Sequence, residues 1–350
     1  MNKIFVRKKA VDKRITDANV EEQKERILAK GRKFKYPLQY SRYRVAVNTI
    51  IIGVVALILA GVFTWLNLYV WQNTGDVAYG IARVLPLNVA KIDGEGVRFS
   101  DYLMIYRGSV VSIERQQGSL SEIEGGDAIS AEYRRQALRD AQGYAYAMKL
   151  ARELGISVDQ YEIDEMSKAH RTIGGVEKSQ ETYEKILRDN YGWSVGEYER
   201  MLRLVIVRQK VEEQIDTDAL NKIERVVLRL AENGGDMEAG AGEDGVFESS
   251  GGKVGQDNLD GGRAEMAGKM EPGEVSGKFL SQNGDGYYAV KLLSKSDAQV
   301  EYESVFVGFS EMRQRLASMR KSCEEGGDAA IREFIDVSVE NDEAMCYINR

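Results

Sequence analysis

Histidine is nearly absent from this chain of 350 residues, which contains one histidine, two cysteines and three prolines. Structural zinc sites usually take four cysteine or histidine ligands, and an activated nucleophile usually needs a neighbouring base. The single imidazole, that of His170, stands in a charged helical stretch without a nucleophile motif beside it, so we interpret it as solvent-facing. We therefore expect no metal site and no cofactor, and local spacing indicates no catalytic centre.

The two cysteines are Cys323 and Cys346. A disulfide between them would close the C-terminal segment in an oxidising compartment. Two free thiols are the equal alternative, because a sequence does not show whether the Cα atoms come within bonding distance.

Charge is missing from Val45 to Gly75, and apolar residues dominate Val45 to Val70. This length exceeds the roughly 20 residues that cross the hydrocarbon core of a bilayer. Residues 1–44 carry 14 Lys and Arg against 5 Asp and Glu, and such an excess marks the cytoplasmic side. We predict a basic cytoplasmic tail over residues 1–44 and one transmembrane helix over residues 45–72. This helix would contact membrane lipid in the inner or plasma membrane and place the C-terminal domains outside the cytoplasm.

The remainder of the chain is acidic, since the net charge is −7 in spite of the basic start. Binding to nucleic acid needs clustered Lys and Arg that displace phosphate counterions. We therefore exclude nucleic acid as a partner.

Periodicity and turn signals divide the part after the apolar stretch. Asn88–Tyr102 has the pattern of a strand, a turn at Asp93–Gly94 and the start of a helix, and Ser130–Ile215 has helical spacing. Within the helical stretch, Ser157 with Gln160 and Ser194 with Glu197 predict two helix starts with capping boxes. Strands are expected over Tyr287–Leu293 and Val300–Val307, joined as a hairpin after a glycine-rich stretch. The predicted segments are a connector (73–87), a helical domain (88–216), a small α+β domain (217–309) and a helical C-terminal tail (310–350).

The predicted fold class is thus a membrane-anchored α+β protein with one transmembrane helix, an α-helical domain and a small α+β domain. In the C-terminal tail we predict two short helices. The second would carry Ile331, Phe334 and Ile335 on one face, because these residues follow helical spacing.

Several short stretches resemble one group of extracytoplasmic folding factors. Ala90–Tyr102 is similar to the opening strand and helix of the SurA, PrsA and PpiD group. Leu154–Val158 and Tyr191–Ser194 resemble its habit of ending a helix at glycine and restarting at serine. Members of this group join a helical chaperone module to parvulin-type prolyl isomerase domains.

A second set of stretches resembles the parvulin domain itself. Its members are Gly235–Met237, Gly251–Gly255, Met270–Ser276 and Gly286–Lys291. The family's opening strand, which carries a histidine before two apolar residues, is missing from its usual place. Its nearest counterpart is Val300–Val307, so we predict that this segment fills the slot of the opening strand in a circularly rearranged domain.

The resemblance places residues of other types where the family has its paired histidines. Ser304 takes one histidine position and Tyr288 the other. An active isomerase with an altered site would use Tyr288, Ser304 and the apolar neighbours Met270 and Phe306. Prolyl rotation needs only relief of amide resonance in an apolar pocket, so this enzyme is one of the alternatives.

The leading hypothesis is a chaperone with little or no isomerase activity that binds unfolded, newly exported polypeptides. The resemblance to the helical module makes its aromatic residues candidate client contacts, although aromatic residues at helical spacing commonly belong to the core. These candidates are Tyr133, Tyr144, Tyr146 and Trp193. The third alternative is a membrane adaptor without enzymatic activity that binds one fixed protein partner.

Overall fold

The computed structural model describes residues 17–35, 37–173, 176–242, 245–325 and 330–337, together with Cys346. The chain divides into two compact units, which meet in sequence between Leu66 and Asn67. The first sixteen residues of the predicted basic tail lie outside the described part.

The first unit is helical. Helix α1 spans Asp17–Lys35 and α2 spans Pro37–Trp65, and one π-helical turn, Leu66–Val70, continues α2 into the second unit. The apolar stretch Tyr43–Val70 is the one helix of the described residues that is long and apolar enough to cross a membrane. It corresponds closely to the segment predicted over residues 45–72.

The first half of the second unit is a helical module, as predicted. Its short hairpin of β3 (Thr172–Ile173) and β4 (Val176–Glu177) separates two of the helices. The helices are α3 (Asp76–Val84), α4 (Phe99–Gln117), α5 (Gly126–Leu154), α6 (Gln160–Arg171), α7 (Gln180–Tyr191) and α8 (Val195–Ile215).

Two of these helices begin with a capping box. At α8 the predicted pair is confirmed, because Ser194 and Glu197 bond to each other's backbone N–H groups. At α6 the predicted cap at Ser157 is wrong by two residues. Asp159 and Glu162 form the box there, with both hydrogen bonds 3.0 Å long, since aspartate serves as an N-cap as well as serine does.

A three-stranded sheet opens the module, and its strands lie in the order β2 (Glu95–Arg98), β1 (Asn88–Ile92) and β9 (Ile331–Glu333). Strand β1 (Asn88–Ile92) and β2 (Glu95–Arg98) form a hairpin whose turn residues Asp93 and Gly94 both have positive φ, +47° and +81°. Two left-handed residues match the twist of a tight hairpin. The predicted turn is confirmed.

The C-terminal segment corrects the prediction of two short helices. Helix α12 (Glu311–Glu324) is present, but Ile331–Glu333 forms strand β9, which pairs antiparallel with β1. Ile331 and Glu333 are buried on either side of the exposed Arg332, and this alternation is the period of a strand. Of residues 338–350, Cys346 alone is described.

This segment is also part of the module's core and not an appendage. Met312, Ile331 and Ile335 are each 1% exposed and belong to the same apolar cluster as Leu103 and Leu138. A disulfide joins Cys323 of α12 to Cys346, with the Cα atoms 5.6 Å apart. The Cys346 carbonyl also accepts the Glu333 N–H at 2.9 Å.

A small α+β domain lies between α8 and α12 in the sequence. Its elements are α9 (Thr217–Glu232), α10 (Met237–Gly240), β5 (Val246–Gly255), α11 (Arg263–Gly268), β6 (Phe279–Leu280), β7 (Gly286–Lys295) and β8 (Gln299–Gly308). The four-stranded sheet has the order β5-β8-β7-β6, and β7 pairs with β8 along the predicted hairpin. Helices α9 and α10 cover one face of the sheet, and α11 covers the other.

One buried carboxylate joins the two points where the chain passes between the module and the small domain. Asp216, 1% exposed, ends α8 and caps α9 by accepting the Ala219 N–H at 2.9 Å. Its other oxygen accepts the N–H groups of Ser310 and Glu311, at 2.5 and 2.9 Å, where the chain returns into α12. We call these contacts the Asp216 clasp.

Replacing Asp216 by alanine should lower the free energy of unfolding by about 3 kcal/mol, because a buried N–H without an acceptor costs about 1–3 kcal/mol. Asp236→Ala is the matched control. This exposed aspartate caps α10 through one hydrogen bond, to the Ala239 N–H at 3.2 Å, so its loss should cost about 1 kcal/mol. Equal losses in denaturant titrations of the two variants would contradict the role of the clasp.

Candidate functional site

Three of the four predicted site residues lie together on the α11 side of the small domain's sheet. Tyr288 of β7 faces Phe306 of β8 in register, and Val290 faces Ser304. Alternate residues of a strand point to the same side, so Tyr288, Ser304 and Phe306 share one face. The rings of Tyr288 and Phe306 lie 4.7 Å apart between centroids.

Arg263, the first residue of α11, covers this face. Its guanidinium carbon lies 5.0 Å from the centre of the Tyr288 ring and 5.8 Å from that of Tyr302. The same side chain donates to the Ser304 hydroxyl at 3.3 Å and to the Asp260 carbonyl at 2.8 Å. We call Arg263, Tyr288, Tyr302, Ser304 and Phe306 the aromatic face.

A glycine pair allows α11 to approach so closely. Gly261 and Gly262 have φ of +80° and +91°, a region that side chains other than glycine rarely adopt. A Cβ on Gly261 would lie 3.1 Å from the Tyr288 ring. Arg263 and Tyr302 are not among the site residues predicted from the sequence. The spacing of Tyr302 could have indicated it, because Tyr302, Ser304 and Phe306 stand at alternate positions of a predicted strand and so share one face.

Ser304 is not available to a substrate in this structure. It is 1% exposed, and its hydroxyl donates to the Ser249 carbonyl at 3.3 Å while accepting from Arg263. The candidate catalytic residue Ser304 is therefore a buried, hydrogen-bonded residue in this structure.

The aromatic face offers little acid–base chemistry at neutral pH. Burial raises the pKa of the Tyr288 phenol. Burial and a hydrogen bond to the Asp260 carboxylate raise the pKa of Tyr302 as well. Both phenols thus stay protonated, and the chain's one histidine, His170, lies on α6, where its Nδ1 is 2.5 Å from the Tyr198 hydroxyl oxygen.

Met270, the fourth predicted site residue, belongs to the core beneath α11. It is 4% exposed and packs in a cluster with Ala267, Val290, Leu292 and Val300. Its position therefore supports packing of α11 on the sheet and not contact with a substrate.

The four predicted client contacts divide by exposure. Tyr146 is 4% exposed, so it is a core residue and does not present its ring to a client. Trp193 is half-buried and donates its indole N–H to the Met104 carbonyl at 3.1 Å. Tyr133 and Tyr144 are half-buried against the module's core, and the Arg208 guanidinium lies 5.8 Å from the Tyr144 ring centre.

The helical module contains a cleft that the sequence analysis did not anticipate. Its volume is about 530 Å³, and Ala145, Met148 and Leu204 form its apolar floor. Charged side chains surround this floor, with Arg200 bonded to Asp101 at 2.6 Å. Its remaining charged and polar side chains are Glu95, Arg98, Arg152, Gln160, Glu199 and Arg203.

Metal binding finds no support in the described part of the chain. No group of three or more His, Cys, Asp or Glu side chains there could hold an ion.

Residues 39–212 match the family model described as the SurA-like N-terminal domain. This part of the chain is therefore similar to the N-terminal domain of SurA-like folding factors. The match begins in α2 and includes the β1–β2 hairpin and nearly all of α8, so it supports the resemblance carried by Ala90–Tyr102. The match ends before α9 and leaves the small domain outside it. Neither the curated proteins nor the solved structures give a match to this chain.

Tyr288→Ala should destabilise the protein by about 3 kcal/mol, because removing a buried aromatic ring leaves a cavity. Tyr288→Phe, which keeps the ring and loses a hydrogen bond with Ser281, should cost about 1 kcal/mol. Thermal unfolding of both variants measures the difference. If alanine costs no more than phenylalanine, the ring does not fill the site.

Proposed function

We propose that this protein is a membrane-anchored extracytoplasmic chaperone that holds unfolded, newly exported polypeptides and has little or no prolyl isomerase activity. The SurA-like N-terminal domain over residues 39–212 is consistent with a chaperone-type folding factor and with unfolded polypeptides as partners. The membrane anchor, its orientation and the loss of isomerase activity go beyond that family match.

The apolar helix Tyr43–Val70 supports the anchor. The excess of Lys and Arg before this helix favours a cytoplasmic N-terminus. The pairing of Cys323 with Cys346 fits an oxidising compartment, where disulfides persist. All three observations favour domains that lie outside the cytoplasm.

The filled aromatic face is the observation that carries the loss of isomerase activity. By resemblance the small domain is a rearranged parvulin domain, and the position of β8 between β5 and β7 suits that interpretation. A prolyl substrate would need an open apolar pocket. Here the Tyr288 and Phe306 rings pack together under Arg263, and Ser304 is buried where the family has a histidine.

The cleft of the helical module is our candidate client surface. Met148 on its floor has a flexible, polarisable side chain, which adapts to ligands of different shape. The surrounding arginines and carboxylates can bond to exposed peptide groups. An apolar floor with a charged rim suits short apolar segments of an unfolded chain.

A client assay tests the chaperone. The full chain in lipid nanodiscs should suppress aggregation of a chemically unfolded client protein, and Met148→Glu should weaken this suppression because it places a charge on the apolar floor. Leu228→Glu is the matched control, since Leu228 is 64% exposed on α9, away from the cleft. Light scattering gives the readout, and thermal unfolding checks that both variants fold.

Failure of the wild-type chain to slow aggregation of the client would refute the proposed chaperone function. Crosslinking to client mixtures adds a second readout: recovery of one stoichiometric protein in place of many would favour the fixed-partner adaptor.

A proline-peptide assay tests the isomerase alternative separately. We expect the wild type, Tyr288→Ala and Ser304→Ala all to give the uncatalysed rate, which reflects a barrier of about 18–20 kcal/mol. A wild-type rate clearly above background that falls in either variant would establish an active isomerase with an altered site.

A further inference from the structure

Helix α3 displays apolar side chains that the fold does not cover. Val77 is 61% exposed and Val84 is 80% exposed, and Leu85, just past the helix end, is 40% exposed. Residues seven apart lie on the same side of a helix. Val77 and Val84 therefore form one outward stripe, next to the buried Ala78 and Ala82.

The orientation of this stripe is fixed by contacts on the other sides of α3. Ala78 and Ala82 are buried in the module's core. The Tyr79 hydroxyl donates to the Glu197 carboxylate, and the Arg107 guanidinium lies 4.9 Å from the Tyr79 ring centre. Because these contacts hold the helix, Val77 and Val84 remain turned away from the protein.

The residues just before α3 pack on the helical module. Leu68, near that end, is 0% exposed in the module's core. Tyr69 donates to the Asn88 carbonyl at 2.8 Å, and the Asn73 N–H bonds to the Asn67 carbonyl at 2.9 Å. In sequence, the second unit thus includes Asn67–Val70, the last residues of the apolar stretch.

Further apolar surface lies close to this point. Val70 and Trp71 are 49% and 59% exposed. Tryptophan is enriched at the interface between membrane and water, and helices with an apolar stripe bind in that layer. Val70 and Val77 are seven positions apart in the chain, and a chain of that length spans at most about 25 Å. This distance keeps the start of α3 near the bilayer surface.

We propose that α3 lies in the interfacial layer of the bilayer, with Val77, Val84 and Leu85 inserted among the lipids. This proposal depends on the membrane anchor of the proposed function. The lipid surface is the occupant that continuity with the apolar helix favours. The helical module would then contact the membrane through α3.

Site-specific fluorescence tests this contact in the full chain. Val84→Cys would carry an environment-sensitive dye in nanodiscs of phosphatidylcholine and phosphatidylglycerol, and Leu259→Cys, 85% exposed in the small domain, is the matched control. Cys323 and Cys346 are bonded to each other and leave the new thiol for labelling. Lipids bearing nitroxide groups near the headgroup should remove about half or more of the emission at position 84, as expected for an inserted residue, and leave position 259 unchanged.

Equal, weak quenching at positions 84 and 259 would overturn the proposal. A blue-shifted dye at position 84 that lipid nitroxides do not quench would overturn it too, because the stripe would then contact protein. Alkaline extraction of the native membranes tests the anchor separately: release of the chain would refute the anchor and this proposal together. A chain that resists extraction and holds clients, but shows no quenching at position 84, would leave the proposed function intact.

Discussion

The geometry of the second unit depends on the Asp216 clasp. The small domain is inserted into the helical module, so the chain leaves the module after α8 and returns at α12. One carboxylate accepts N–H groups from both crossings. A carboxylate with three buried donors is strongly held, and it binds the two crossings to each other. The inserted domain is therefore linked to the module by two connecting segments that the Asp216 carboxylate holds together.

The sequence allowed prediction of features that depend on neighbouring residues. The Asp93–Gly94 turn, the Ser194 cap and the hairpin of β7 and β8 each follow from residues close together in the chain. Strand β9 was missed because Ile331, Phe334 and Ile335 follow helical spacing, whereas the strand forms through pairing with β1, far away in sequence. Burial of Tyr146 likewise depends on how α5 packs, which its local spacing does not determine.

The candidate site was predictable in part for the same reason. Register along two adjacent strands brings Tyr288, Ser304 and Phe306 together, and strand alternation is visible in the sequence. Arg263, which covers this face, is the first residue of α11. The close approach of α11 to the sheet depends on the backbone of Gly261 and Gly262. The sequence alone thus indicated which residues share a face, and the structure adds that the face is covered.

The return of the C-terminal segment has a consequence for the order of folding. Met312, Ile331 and Ile335 complete a core whose other members, such as Leu103 and Leu138, are synthesised more than 170 residues earlier. During vectorial synthesis the nascent helices have part of their apolar surface uncovered until this segment is made. The edge of β1 that later pairs with β9 is also unpaired during that time. The inserted domain can fold in the meantime from a contiguous stretch of chain. The helical module is therefore complete only when the segment that follows the small domain has emerged.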